Sequence, residues 1–108
     1  MRLKIAAIAI AFTLAGVAAQ AADGKELFEK QCAKCHGADG KGETKIGKKL
    51  GIKDLTDAKV QGAFTDEKAF KSIKEGIKDG DKVVMKPAED VNDEQIKALV
   101  AYVRKFKK

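Results

Sequence analysis

The sequence has little of the chemistry from which small proteins build sites and staples. Its 108 residues include two cysteines, one histidine, one proline and no tryptophan. Two cysteines, Cys32 and Cys35, close one disulfide at most. Its loop would be so short that it would constrain the unfolded chain very little. A disulfide-rich framework is therefore excluded. One histidine, His36, excludes a centre made of several imidazoles, and after Met1 the only methionine is Met85. No internal repeat, no convincing strand and no second domain can be read along the chain. No ionisable groups are arranged as acid, base or nucleophile. The carboxylates look like solvated helix faces.

What is present is charge. Charged residues are 35% and apolar residues 44%, the balance of a globular chain. The formal net charge is +6. Acidic residues interleave with the basic ones, which argues against nucleic-acid binding. The length suits one domain.

The amino-terminal segment reads as separate from that domain. Arg2 and Lys4 precede a charge-free run of 18 residues at positions 5–22, closing on Ala19-Gln20-Ala21. Positive start, apolar middle and small-x-small end are the layout of a cleaved secretory signal. An uncleaved anchor is the alternative, since the run is just long enough to span a bilayer. Its alanine richness, Thr13 and Gln20 favour cleavage. The expected division is a signal peptide over 1–21 and one domain over 22–108. Losing Arg2 and Lys4 would lower the net charge to +4. A chain this short buries a modest fraction of its surface and usually needs a staple.

Cys32-Ala33-Lys34-Cys35-His36 supplies a candidate. C-x-x-C-H is the attachment signature of c-type haem. Asp23 and Glu26 form a capping-box pattern, so a helix is expected from Asp23 to about Cys35. On it the two thiols, three apart, would share a side and reach the vinyl groups on one porphyrin edge. His36 could then coordinate the iron. A thioredoxin-like pair needs a βαβ context that is missing here. A zinc site needs about four ligands. A structural disulfide remains a third alternative.

Haem iron takes a sixth ligand or keeps an open position. A thioether is a known partner for histidine, and Met85 is the only one left. Methionine more often fills gaps in a core. Against that, Met85 lies in an irregular, glycine-bearing stretch, 76–87, that Pro87 would stiffen.

Elsewhere the pattern is helical. A glycine- and lysine-rich loop runs over 37–51, and residues 54–61 suit a short helix or turn. Thr65 can cap a helix with Phe70, Ile73 and Ile77 on one face, ending between Gly76 and Gly80. Asn92 can cap the last helix, with Gln95 three residues on. Its stripe is Ile96, Leu99, Val100, Val103 and Phe106.

Across 22–108 the chain resembles class I cytochromes c of the small bacterial monohaem group, which includes cytochrome c6 and c553-like carriers. Gly24 and Phe28 match the first helix, and Leu99-Val100-Ala101-Tyr102-Val103-Arg104 matches the terminal-helix signature. Asp54-Leu55-Thr56-Asp57, Ile73-Lys74-Glu75-Gly76 and the Met85 segment follow in family order. One departure is clear: the family often has Met-Pro, whereas Lys86 stands here between Met85 and Pro87.

The resemblance implies an all-α cytochrome c fold, three to four helices wrapped around one covalently bound haem. Cys32 and Cys35 would form the thioethers, with His36 and Met85 as axial iron ligands. The shell would include Leu50, Ile52, Leu55, Phe64, Phe70, Ile73, Ile77, Val84 and Leu99. Covering ~100 Å² of macrocycle and side chain contributes ~2.5 kcal/mol, so the haem-free chain is expected not to fold stably. The implied function is a soluble, monomeric electron carrier in the periplasm, not an enzyme. Its redox partners, possibly acidic, would dock at the haem edge near Lys45, Lys48, Lys49, Lys82 and Lys86. A haem module of a larger oxidase or dehydrogenase complex, and a ligand-binding sensor or weak peroxidase, are the alternatives.

Overall fold

A computed structural model describes the backbone of residues 15–108 and the side chains from residue 23 onward. Most of the expected signal segment, 1–14, lies outside the described residues. Six helices are described: α1 (Ala15–Gln31), α2 (Ala33–His36), α3 (Lys45–Leu50), α4 (Ala58–Gly62), α5 (Asp66–Glu75) and α6 (Asp93–Arg104). Two strands, β1 (Ile77–Asp79) and β2 (Lys82–Met85), lie between α5 and α6. Only α1, α5 and α6 exceed two turns. The expected count of three to four grows because the first helix divides into α1 and α2 and the loop 37–51 contains a short capped helix, α3; the short helix or turn expected over 54–61 is α4.

The caps follow sequence rules. Thr44, Asp57 and Thr65 each accept a backbone N–H at the start of α3, α4 and α5. Asn92 and Gln95 form the full capping box of α6. Asp23 does not cap: it lies inside α1. The residues before it are mostly alanine, the best helix former, so the helix propagates upstream. The expected helix through Cys35 also divides, at Cys32, where φ opens to −110°.

The stretch 76–87 is not irregular. β1 and β2 pair as an antiparallel hairpin, with Asp79 opposite Lys82 across a Gly80-Asp81 turn. Gly80, at φ +62°, supplies the left-handed residue that such a turn needs. Ile77, Val83 and Val84 supply the β-branched side chains.

The core sits where α1 crosses α6. Phe28, Ile96 and Leu99 are fully buried there. Gly24 makes the crossing possible: a Cβ on it would lie 2.5 Å from the Ala98 carbonyl oxygen. Phe28, Tyr102 and Phe106 form a triangle with ring centroids 5.1–5.3 Å apart. A polar bolt closes the far end of α6. The buried Gln61 amide donates to the Leu55 and Val103 carbonyls at 2.7 and 2.9 Å. Arg104 donates to the Gln61 and Phe64 carbonyls, pairs with Asp66 at 2.7 Å and lies over the Phe64 ring.

Candidate functional site

One face of this crossing opens into an almost wholly apolar cleft of about 270 Å³. Phe28 and Leu99 form its floor, and Cys32 and His36 enter from α2 and the turn before it. Ala69, Ser72 and Ile73 line it from α5, and Ile77 and Met85 from the hairpin. Leu55, Phe64, Lys68 and Val103 complete it.

The loop after the motif holds α2 in place. Thr44 donates its hydroxyl to the Cys35 carbonyl at 2.7 Å and accepts from Gly47 N at 2.9 Å. Gly42 N donates to the His36 carbonyl at 2.7 Å. The His36 ring packs 6.2 Å from that of Phe28, so the crossing also positions the imidazole. Burial lowers the His36 pKa below its ordinary value, which favours the neutral, lone-pair-bearing ring. Its buried Nδ1 has no hydrogen-bond partner. A buried polar atom left unsatisfied is uncommon and calls for an explanation.

Both cysteine thiols are free and half-buried. Burial, then the neighbouring Cys35, pushes the Cys32 thiol up to about 11. That is opposite to the depressed value of a reactive redox cysteine. Among the described residues, no group of three or more His, Cys, Asp or Glu is placed to hold a metal ion. Neither a thioredoxin-like pair nor a zinc cluster is therefore supported.

On the other wall, Gly76 lets the Met85 strand close. At φ +76°, a Cβ would lie 2.6 Å from the Met85 carbonyl and 2.9 Å from Pro87 Cδ. Ala88 N donates to the Ile73 carbonyl at 2.8 Å, fastening the chain beyond Pro87 to the end of α5.

Of the expected site residues, the cleft brings together Cys32, His36, Met85, Leu55, Ile73 and Leu99. Phe64 and Ile77, read as shell residues, also line it, while Val84 does not. Cys35, Leu50, Ile52 and Phe70 are not among its lining residues. Ile52 packs on Gly42. Phe70 faces the groove between α5 and α6, beside Val100 and Ala101. Its place on α5 is three residues before Ile73, at the edge of the stripe. The i, i+3 and i+4 spacing of Ala69, Ser72 and Ile73 was the signal for the cleft-facing side; Ala69 and Ser72 were missed because neither is large and apolar.

The residues fit a covalently held haem. The cleft is apolar, an imidazole with an unpartnered ring nitrogen reaches it beside one free thiol, and a thioether lies on the other wall. The comparisons agree with that fit. The cytochrome c family model matches residues 21–107. A solved structure, the KustC0563 c-type cytochrome, is 39% identical with a TM-score of 0.69, over 80% of this chain and 99% of its own. Among curated protein sequences, none matches. The chain belongs to the cytochrome c family, as a small class I c-type cytochrome, a family of electron carriers that bind covalent haem c and its iron.

Proposed function

We propose that this chain is an exported single-electron carrier with a closed haem site. In this reading Cys32 and Cys35 would bond the haem as thioethers, and His36 and Met85 would supply the ligands to its iron. Haem c, when bound, supplies a one-electron iron couple. The protein's residues set its surroundings. Leu55, Phe64, Ile73, Ile77 and Leu99 exclude water. The Met85 thioether favours the ferrous state relative to a second imidazole. With His36 and Met85 both ligating the iron, no position would be left for a substrate, so in this reading the chain acts as a carrier and not as an enzyme.

The observation that carries the reading is the cleft itself, whose lining includes His36 and Cys32 together with Met85. Export is supported by the match beginning at residue 21, where the signal pattern ends. No helix among the described residues is long and apolar enough to cross a membrane. Lys45, Lys48 and Lys49 stand exposed on α3, and Lys82 and Lys86 flank Met85 in sequence. These cations suit an acidic redox partner met through a small, transient contact. Steering of that kind predicts an electron-transfer rate that falls as salt rises.

The test of the ligand set is a redox-titrated visible spectrum of the haem-loaded protein and its Met85→Ala variant. Loss of the thioether should change the spectrum and lower the potential. An unchanged spectrum and potential would remove Met85 from the site.

A further inference from the structure

The segment carrying Met85 is fastened mainly to its own side of the cleft. β2 pairs with β1, and Ala88 N donates to Ile73 O. These bonds join it to the hairpin and α5. Among the described residues, one hydrogen-bonded tie runs to the haem-attachment side, and it is made by Gln31. The Gln31 side chain donates from Nε2 to the Glu89 carbonyl at 2.8 Å. Its Oε1 accepts from Glu89 N at 2.7 Å. The amide therefore takes both hydrogen-bonding groups of one residue, as a neighbouring strand would.

Position gives this pair its meaning. Gln31 is the last residue of α1 and precedes Cys32. Glu89 lies four residues beyond Met85. The next residue, Asp90, holds φ at +54°, a left-handed conformation that a non-glycine side chain adopts only at some strain. Such a conformation persists where its surroundings over-determine it. The Gln31 bonds hold the backbone of the residue just before it.

We infer that Gln31 is a positioning residue for Met85: it clamps the chain beyond the thioether to the haem-attachment turn and so limits how readily the sulfur leaves the iron. The inference rests on the reading of Met85 as a ligand. It adds the restraint that keeps that ligand in place. Gln31 is exposed, so its substitution leaves the core intact.

The experiment measures carbon monoxide binding to the reduced, haem-loaded protein, because the gas enters only when Met85 has left. Wild type should bind slowly and Met85→Ala rapidly. Gln31→Ala loses both bonds and should speed binding roughly tenfold, the equivalent of about 1.4 kcal/mol. Gln31→Glu keeps the acceptor but repels the Glu89 carbonyl, so it should also speed binding. Asp57→Ala removes the α4 cap, which makes no hydrogen bond to the Met85 segment, and controls for general loosening. It should lower thermal stability without changing the rate. A Gln31→Ala rate equal to wild type, with Met85→Ala fast, would overturn the clamp alone. Equal acceleration by Asp57→Ala would also overturn it. Wild type and Met85→Ala binding alike would overturn the ligand reading, and the clamp with it.

Discussion

The two walls of the cleft are built differently. On one, α1 and α6 cross at Gly24, with Phe28 and Leu99 fully buried and three aromatic rings in contact. On the other, a two-residue turn joins short strands whose Ile77 and Val83 stay 42% and 45% exposed. The first wall derives its order from packing. The second depends on a few hydrogen bonds, two glycines, Gly76 and Gly80, and the Gln31 tie. The wall holding Cys32 and His36 is thus held by buried side chains, whereas the wall holding Met85 is held by hydrogen bonds at the surface. Under the proposed ligand set, that division suits a carrier whose haem is attached covalently on one wall and whose thioether must be held in place on the other.

The comparison can be broken most severely by removing the cofactor. The Cys32→Ser, Cys35→Ser double variant should lose stability comparable to that of a whole small domain, about 5–15 kcal/mol. Circular dichroism should show most helix lost, and full helicity would refute the dependence on haem. Leu99→Ala comes next. It opens a cavity beneath the packed wall and should cost about 2–5 kcal/mol in denaturant unfolding of the haem-loaded protein. Gly24→Ala forces a methyl group against the Ala98 carbonyl and should cost about 1–3 kcal/mol in the same measurement. Val83→Ser, on the exposed hairpin, should stay within about 0.5 kcal/mol. If Val83→Ser proved as damaging as Leu99→Ala, the contrast between the walls would be wrong.

The packed wall is also the more legible one in sequence. Cys32-x-x-Cys35-His36 pointed to the side of the cleft that Cys32 and His36 line, Asn92 and Gln95 marked the start of α6, and Ile96 and Leu99 its buried face. Thr65 marked α5 through its cap. These are local signals, carried by spacing along one helix. The hairpin wall was harder to read. Gly80-Asp81 has turn chemistry, but residues 76–87 are too short and too mixed for a period-2 pattern to stand out. The tie from Gln31 to Glu89 spans 58 residues, so no local rule announces it. Phe70 was misplaced for a related reason: size and apolarity do not decide which of two faces of α5 a side chain takes. Asp23 was read as a cap because the sequence rule ignores the alanine-rich residues that extend α1 upstream. The hydrogen-bond network of Arg104 and Gln61 likewise depends on α6 meeting the chain near α4, which only the fold provides.

The measurement that tests the contrast most directly is residue-resolved amide hydrogen exchange of the haem-loaded protein, wild type against Met85→Ala. The account predicts a loss of protection confined to β1, β2 and the segment through Asp90, with α1 and α6 keeping theirs. Unchanged protection in the hairpin, or equal loss in α1 and α6, would contradict a wall ordered by packing facing one that the proposed Met85 ligation restrains.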